Sequence, residues 1–145
     1  GHEVASIVEA ASSARAALTG FSVAHAWRRR PRPVLADDLL PERALAGDPL
    51  ARTALVQRIY LPLRARTQDL ITLSAYLDSG RSLEATAREL FVHPNTVRYR
   101  LRRISEAIGW DATGPREALI LQTALIVGAI SEPAPGAEPP ASDEP

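Results

Sequence analysis

The stretch LFVHPNTVRYRLRRI, residues 90–104, places four arginines along a regular repeat of apolar side chains. The repeat continues past the stretch and predicts one helix over residues 94–108 that buries Val97, Leu101, Ile104 and Ile108. His93 is a candidate N-cap, Pro94 suits the first helical position, and Gly109 would end the helix. The stretch therefore predicts an amphipathic helix with a basic outer face.

The side of this helix opposite the apolar line carries side chains that can recognise duplex DNA. A helix in the major groove touches base edges with its N-terminal exposed residues, while arginines along its flanks reach phosphates. An asparagine can bond adenine at two points, and planar guanidinium groups suit phosphate or guanine. We predict base contacts from His93, Asn95, Thr96 and Tyr99. We predict contacts to the DNA backbone from Ser82, Arg98, Arg100, Arg102 and Arg103.

Two shorter helices are predicted before this one. The first ends near Gly80 and repeats its apolar side chains at helical spacing, at Leu70, Leu73 and Leu77. Ser82 can cap the second, over residues 83–90, which a short turn joins to the basic helix. Two helices in this relation form a helix-turn-helix. Phe91 lies in the turn, and because phenylalanine resists positive φ, we expect a looser turn than the tightest examples.

A last helix opens at Gly114-Pro115 and runs to residue 130. It is apolar on nearly every side, so we expect it to pack against more than one neighbour. The first part of the chain is also helical by its spacing. It predicts a helix over residues 4–18 with Gly20 as its stop, and another over residues 48–62 that Pro62 bounds.

Residues 34–36, between these first helices, read as one short strand-like segment. The predicted fold class is therefore mainly α, a short-helix bundle containing a helix-turn-helix, preceded by helices and this segment. Such a segment cannot pair with itself, so we interpret residues 1–62 as the C-terminal remnant of a preceding domain whose sheet lies outside this sequence. Residues 63–130 would then form the helix-turn-helix DNA-binding domain. With no methionine even at position 1, the chain is expected to be a piece of a longer protein.

Charge is unevenly distributed, although 17 basic residues, all arginine, balance 17 acids overall. Residues 81–103 hold six arginines against two glutamates, a balance of +4. Residues 131–145 hold four acids, no base and five prolines. This composition predicts a disordered acidic Pro-rich tail, because it offers no large apolar side chain to bury.

Several classes of function are disfavoured by what the sequence lacks. Without cysteine there is no disulfide or thiolate zinc site, and no P-loop, dinucleotide fingerprint, HExxH motif or serine elbow occurs. Asp37-Asp38 fits a turn and helix cap better than a metal or acid–base pair. We therefore predict no enzyme activity, no cofactor and no metal site.

The sequence predicts neither a membrane span nor a signal peptide. The longest strongly apolar run, residues 118–130, has 13 residues, whereas crossing a bilayer takes about 20. A signal peptide begins with a basic stretch followed by an apolar one, whereas this N-terminus opens directly into an amphipathic stretch. We expect a cytoplasmic protein.

Residues 76–109 resemble the C-terminal DNA-binding domain of the PucR/CdaR family of bacterial transcriptional regulators, most closely over SLEATARELFVHPNTVRYRLRRI. The resemblance extends through REALILQTALIVGA in the last helix. It implies a Fis-like helix-turn-helix, a duplex-DNA partner and an effector bound outside this sequence. More weakly, VLADDLLPERALAGD resembles the end of the degenerate GGDEF-like region that precedes this domain in such regulators, without implying cyclase chemistry.

An interpretation from a different class is a helical interaction or oligomerisation module whose arginine-rich face meets an acidic partner. Salt-dependent binding that discriminates between DNA sequences would separate the two, because such a module has no reason to read bases. The apolar circumference of the last helix also predicts a homodimer or a higher homo-oligomer. Dimeric regulators of this kind bind paired half-sites on the duplex.

Overall fold

The computed structural model describes residues 7–133, which form eight α-helices in chain order and, within those residues, no β-strand. Two single 3₁₀ turns, Ala24–Ala26 and Asp37–Leu39, join the first two helices. The helices are α1 (Ile7–Val23), α2 (Leu40–Leu45), α3 (Pro49–Leu55), α4 (Leu61–Arg64), α5 (Thr67–Asp78), α6 (Leu83–Glu89), α7 (Pro94–Ile108) and α8 (Pro115–Ser131). The predicted mainly α bundle is confirmed.

Two local predictions about residues 7–39 were wrong. Residues 34–36 form no strand, because within residues 7–133 there is no other strand for them to pair with. Gly20 does not end α1, which continues to Val23. Gly20 is buried beside Leu39, and an added Cβ would meet Leu39 Cδ1 at 3.5 Å, an ordinary contact distance. The predicted helix start at residue 4 lies outside the described residues.

The helix that opens at Pro49 also does not stop at Pro62. Proline has no N–H to donate to the carbonyl four residues earlier, so an α-helical ladder cannot pass through it unchanged. The chain accommodates this with a π-helical turn, Val56–Tyr60, and then resumes as α4, which contains Pro62. Asp48 caps the start of α3 as predicted, accepting a hydrogen bond from the Leu50 amide at 2.9 Å.

One hydrophobic core joins the helices on both sides of the predicted boundary at residues 62 and 63. Leu55 and Ile59 come from the first side, and they share this core with Leu73, Ile104 and Leu121 from the second. Residues 40–63 therefore pack as part of the same body as the helix-turn-helix. The division of the chain into domains at this position stays a prediction.

The last helix lies at the centre of this arrangement. As predicted, α8 packs against several neighbours, namely α2, α3, α5 and the π-helical turn. Its Gly128 lies directly against the ring of Tyr60. The Tyr60 hydroxyl donates a 2.7 Å hydrogen bond to Glu132, which also pairs with Arg64 at 2.6 Å. Of the predicted tail, residue 131 thus belongs to α8 and residue 132 is held by side chains, while residues 134–145 lie outside the described range.

Among residues 7–133, none of the helices combines the length and apolar character needed to cross a membrane.

We expect Gly128→Ala to destabilise the fold, although alanine favours a helix over glycine by about 1 kcal/mol. The added Cβ would overlap the Tyr60 ring, and overpacking of this kind costs about 1–3 kcal/mol. Chemical denaturation would measure the change. In a Tyr60→Leu background, where no ring opposes it, the same substitution should cost markedly less; an equal cost in both backgrounds would contradict the assigned clash.

Candidate nucleic-acid interface

Helices α6 and α7 form the predicted helix-turn-helix. Ser82 caps α6, because its hydroxyl oxygen accepts a hydrogen bond from the Ala85 amide at 3.2 Å. Thr86, buried in the middle of α6, shares a 2.9 Å hydrogen bond with Ser79, which follows α5. These two bonds fix the start of α6 against the end of α5. The hydroxyl of Ser82, predicted to contact the DNA backbone, therefore also holds the helix start.

The turn between α6 and α7 is tight, and the looser turn expected from Phe91 was wrong. Phe91 has φ of +54°. Its amide donates to the Arg88 carbonyl at 3.3 Å, and the Val92 amide donates to the Ala87 carbonyl at 3.0 Å. These two bonds are those of a Schellman motif, which normally has glycine at the left-handed position. The pair of bonds, together with the packing of Val92 on the core, holds phenylalanine in a conformation that it otherwise resists.

The N-terminus of α7 is capped as the sequence predicted. The Nδ1 atom of His93 accepts a 3.1 Å hydrogen bond from the Asn95 amide. A neutral imidazole that accepts at Nδ1 carries its proton on Nε2, so the outer edge of this exposed ring is a hydrogen-bond donor. Gly109, with φ of +82°, ends the helix at the predicted residue.

The predicted division of α7 into a buried and an exposed side is confirmed. All four predicted apolar side chains are buried: Val97, Leu101, Ile104 and Ile108. Asn95 and Tyr99 are exposed, Tyr99 to 65% of its surface, and Thr96 is partly buried. The structure thus brings His93, Asn95 and Tyr99 to the solvent-facing N-terminal half of one helix.

Two arginines of α7 interact with other residues on its exposed side. Arg98 donates a 2.6 Å hydrogen bond to the side-chain oxygen of Asn95. Arg102 pairs at 3.0 Å with Glu106, one turn further along the helix. Both pairs are solvent-exposed, so they contribute little to stability and leave the guanidinium groups accessible.

The other two arginines reach back to α5. Arg100 donates to the hydroxyl of buried Thr72 at 3.3 Å, and Arg103 forms an ion pair with buried Asp69. The hydrogen bond that the Arg103 guanidinium donates to Asp69, and then the negative charge of Asp69, raise the pKa of Arg103 above its ordinary value. About half of the Arg103 side chain remains exposed. Arg103 is therefore a link between α5 and α7 as well as a predicted phosphate contact.

The sequence reasoning missed Asp69 and Thr72. The prediction for α5 rested on Leu70, Leu73 and Leu77, whereas α5 buries polar Asp69 and Thr72 beside the apolar Leu73. Local spacing gave no signal for them, because their partners Arg103 and Arg100 lie 34 and 28 positions further along the chain. No group of three or more residues able to hold a metal occurs in the described part of the chain.

Comparison with known proteins identifies the helix-turn-helix. Residues 70–127 match the family described as the PucR C-terminal helix-turn-helix domain. An uncharacterized protein of Mycobacterium tuberculosis is 52% identical over 124 residues, which are 85% of this chain and 30% of that protein. The purine catabolism regulatory protein of Bacillus subtilis is 41% identical over 54 residues, 37% of this chain and 10% of that protein.

A solved structure agrees with these matches. The regulator of polyketide synthase expression from Bifidobacterium adolescentis superimposes with a TM-score of 0.74 at 49% sequence identity, covering 78% of this chain and 46% of that one. The chain thus spans less than half the length of each of these three proteins. Its residues 70–127, which include α6 and α7, are similar to the PucR C-terminal helix-turn-helix domain.

Proposed function

We propose that the chain is a DNA-binding part of a transcription regulator, and that it binds duplex DNA sequence-specifically with α7 in the major groove. The observation that carries this proposal is the two-sided character of α7. One side is fixed by four buried apolar residues, and the other presents His93, Asn95 and Tyr99 at the end that would enter the groove first. The similarity of residues 70–127 to a helix-turn-helix of regulators supports it.

In this proposal Asn95 reads adenine. A bidentate contact uses its amide NH₂ on adenine N7 and its oxygen on the N6 amino group. The same oxygen already accepts from Arg98 at 2.6 Å, but a carbonyl oxygen has two lone pairs and can accept twice. Arg98 would therefore orient the Asn95 amide before DNA arrives. The other residues proposed to contact bases are His93, Thr96 and Tyr99.

Backbone contacts are proposed for Ser82 and the arginines of α7. Arg98 and Arg102 have exposed guanidinium groups whose present partners are also exposed, so exchanging these partners for phosphates costs little. Arg100 and Arg103 are tied to α5, and their phosphate contacts would be made by the donors that these bonds leave free.

We further infer that the helices before residue 63 are the end of a GGDEF-like regulatory region, and that an effector binds outside this sequence. In support, the mycobacterial similarity spans 124 residues and so extends well beyond the matched helix-turn-helix domain. A regulator that acts on chromosomal DNA in bacteria works in the cytoplasm, which is the location we propose.

Self-association is proposed through α8 and its neighbours. Of the apolar residues on this helix, Ile120 and Leu121 belong to the core, whereas Leu119, Ile126 and Ile130 are exposed. Ile126 and Ile130 line a groove together with exposed Leu45 and Leu61. A second copy of the chain covering this groove would give a dimer suited to paired half-sites.

Base contacts and backbone contacts should differ in the effect of their loss. We expect Asn95→Ala and Tyr99→Ala each to lower affinity for a duplex selected by the wild-type chain by about 1–3 kcal/mol, with random-sequence binding nearly unchanged. Arg102→Ala should weaken binding to the selected duplex and to random-sequence duplex alike. It should also reduce the slope of log affinity against log salt concentration by about one counterion. Fluorescence anisotropy over a salt series would measure this. If none of these variants altered the preferred sequence, the arginine-rich interaction module would be favoured instead.

Arg103→Ala should destabilise the fold as well as weaken binding to specific and random DNA alike. Its loss leaves the buried Asp69 carboxylate without its cation, with Arg66 4.0 Å away as the nearest remaining one. Thermal unfolding should show a lower Tm. In the Asp69→Asn background, where no buried charge needs a partner, the same substitution should lower Tm much less. Equal losses in both backgrounds would contradict the structural role.

The dimer is tested by Ile126→Asp, which places a charge on an apolar side chain that is 55% exposed. Sedimentation should shift from dimer towards monomer with the fold intact by circular dichroism. Ile71→Asp, at 43% exposure on α5, is the matched control and should leave the association unchanged. A wild-type chain that sediments only as monomer, with and without DNA, would overturn the dimer.

A further inference from the structure

Phe91 combines an unfavourable backbone conformation with an unburied ring. Its φ of +54° brings Cβ close to the following carbonyl, a crowding that glycine avoids. Its side chain is 96% exposed, so almost none of this apolar surface is removed from water. Neither feature favours folding. A glycine would satisfy the same turn, because the two hydrogen bonds that close it use backbone atoms only.

The other left-handed positions in the described residues show how unusual this is. Gly47, Gly80 and Gly109 are glycines, as the conformation favours. Arg81 is the other non-glycine, with φ of +65°, and its guanidinium donates to the Thr113 carbonyl at 3.3 Å, which ties two loops together. The Phe91 ring has no comparable packing against residues 7–133. Backbone strain that no contact within the protein offsets is typical of functional positions.

The position of Phe91 relative to α7 restricts what the ring can meet. It lies four positions before Asn95, so the Cα atoms of the two residues are within about 14 Å of each other. The major groove is about 12 Å wide. When the N-terminal end of α7 lies in the groove, a turn this close to Asn95 is within reach of the sugar-phosphate strand that borders the groove. The packing of Val92 on the core fixes the turn to the body of the domain.

We propose that the Phe91 ring packs against the deoxyribose carbons of this bordering strand and so contributes to DNA affinity independently of sequence. The proposal rests on the DNA-binding function above. The ring carries no charge and offers no hydrogen bond, so its contribution is the burial of apolar surface. It complements the arginines, which meet the phosphates of the same backbone.

The test compares Phe91→Gly and Phe91→Ala with wild type in the 145-residue chain. Both should lower affinity by about tenfold, for a duplex selected from a random-sequence library and for random-sequence duplex alike. The slope of affinity against salt should not change, because no counterion contact is lost. Phe91→Gly should also raise Tm, since it removes the left-handed strain. Weaker binding by a more stable protein cannot be attributed to misfolding.

Phe21 provides a matched control, because it is the other phenylalanine of the chain and is 86% exposed on α1. Phe21→Ala should leave DNA affinity unchanged. With 4-fluorophenylalanine incorporated, DNA titration should shift the fluorine resonance of residue 91 and not that of residue 21.

Three results would overturn the proposal. One is an affinity of both Phe91 variants within twofold of wild type, and another is a Phe91→Gly protein that is less stable than wild type. The third is a loss confined to the selected sequence, since that would assign the ring to a base. Absence of DNA binding by the wild-type chain is a different outcome, which overturns the proposed function itself.

Discussion

The burial of one side of α7 determines which of its side chains remain available to a partner. Val97, Leu101 and Ile104 are almost completely buried against α5 and α6, so the helix cannot rotate about its axis without exposing them. This constraint holds Asn95 and Tyr99 outward. The caps at both ends of the helix fix where it begins and ends, so the position of these side chains along the axis is set as well.

Polar contacts between α5 and α7 also fix the position of α7 along α5. Apolar packing alone tolerates small sliding of one helix along another, whereas a bond to a buried polar group favours one register. The pairs Arg103 with Asp69 and Arg100 with Thr72 supply such bonds, Arg100 near the middle of α7 and Arg103 in its C-terminal half. The arginines of this helix thus divide into two that hold it in place and two, Arg98 and Arg102, that face solvent.

The sequence predicted α5 to α8 well because their signals are local. Apolar spacing, Ser82 and His93 as caps, and Gly109 as a stop each act within a few residues, and each is present in the structure. The failures concern residues that usually interrupt a helix or resist a turn. Buried Gly20 lies within its helix, the chain passes Pro62 after a π-helical turn, and two backbone hydrogen bonds hold Phe91 at positive φ. The pairing of Arg103 with Asp69 joins residues 34 positions apart, which composition and spacing do not reveal.

The helices before residue 63 are fastened to the helix-turn-helix by more than apolar contact. Arg116, in the first turn of α8, donates to Glu42 and to the Asp38 carbonyl at 2.8 Å each, and its guanidinium stacks over the Trp27 ring at 4.1 Å. On the other side, Arg58 stacks over Trp110, which follows α7. A guanidinium that contacts both a carboxylate and the face of an aromatic ring is held in one orientation. A displacement of α2 would therefore act on the start of α8, whose Ile120 and Leu121 belong to the same core as Leu101 of α7. The helices before residue 63 and α7 thus share one continuous core, so any movement of α2 relative to α8 would have to repack that core.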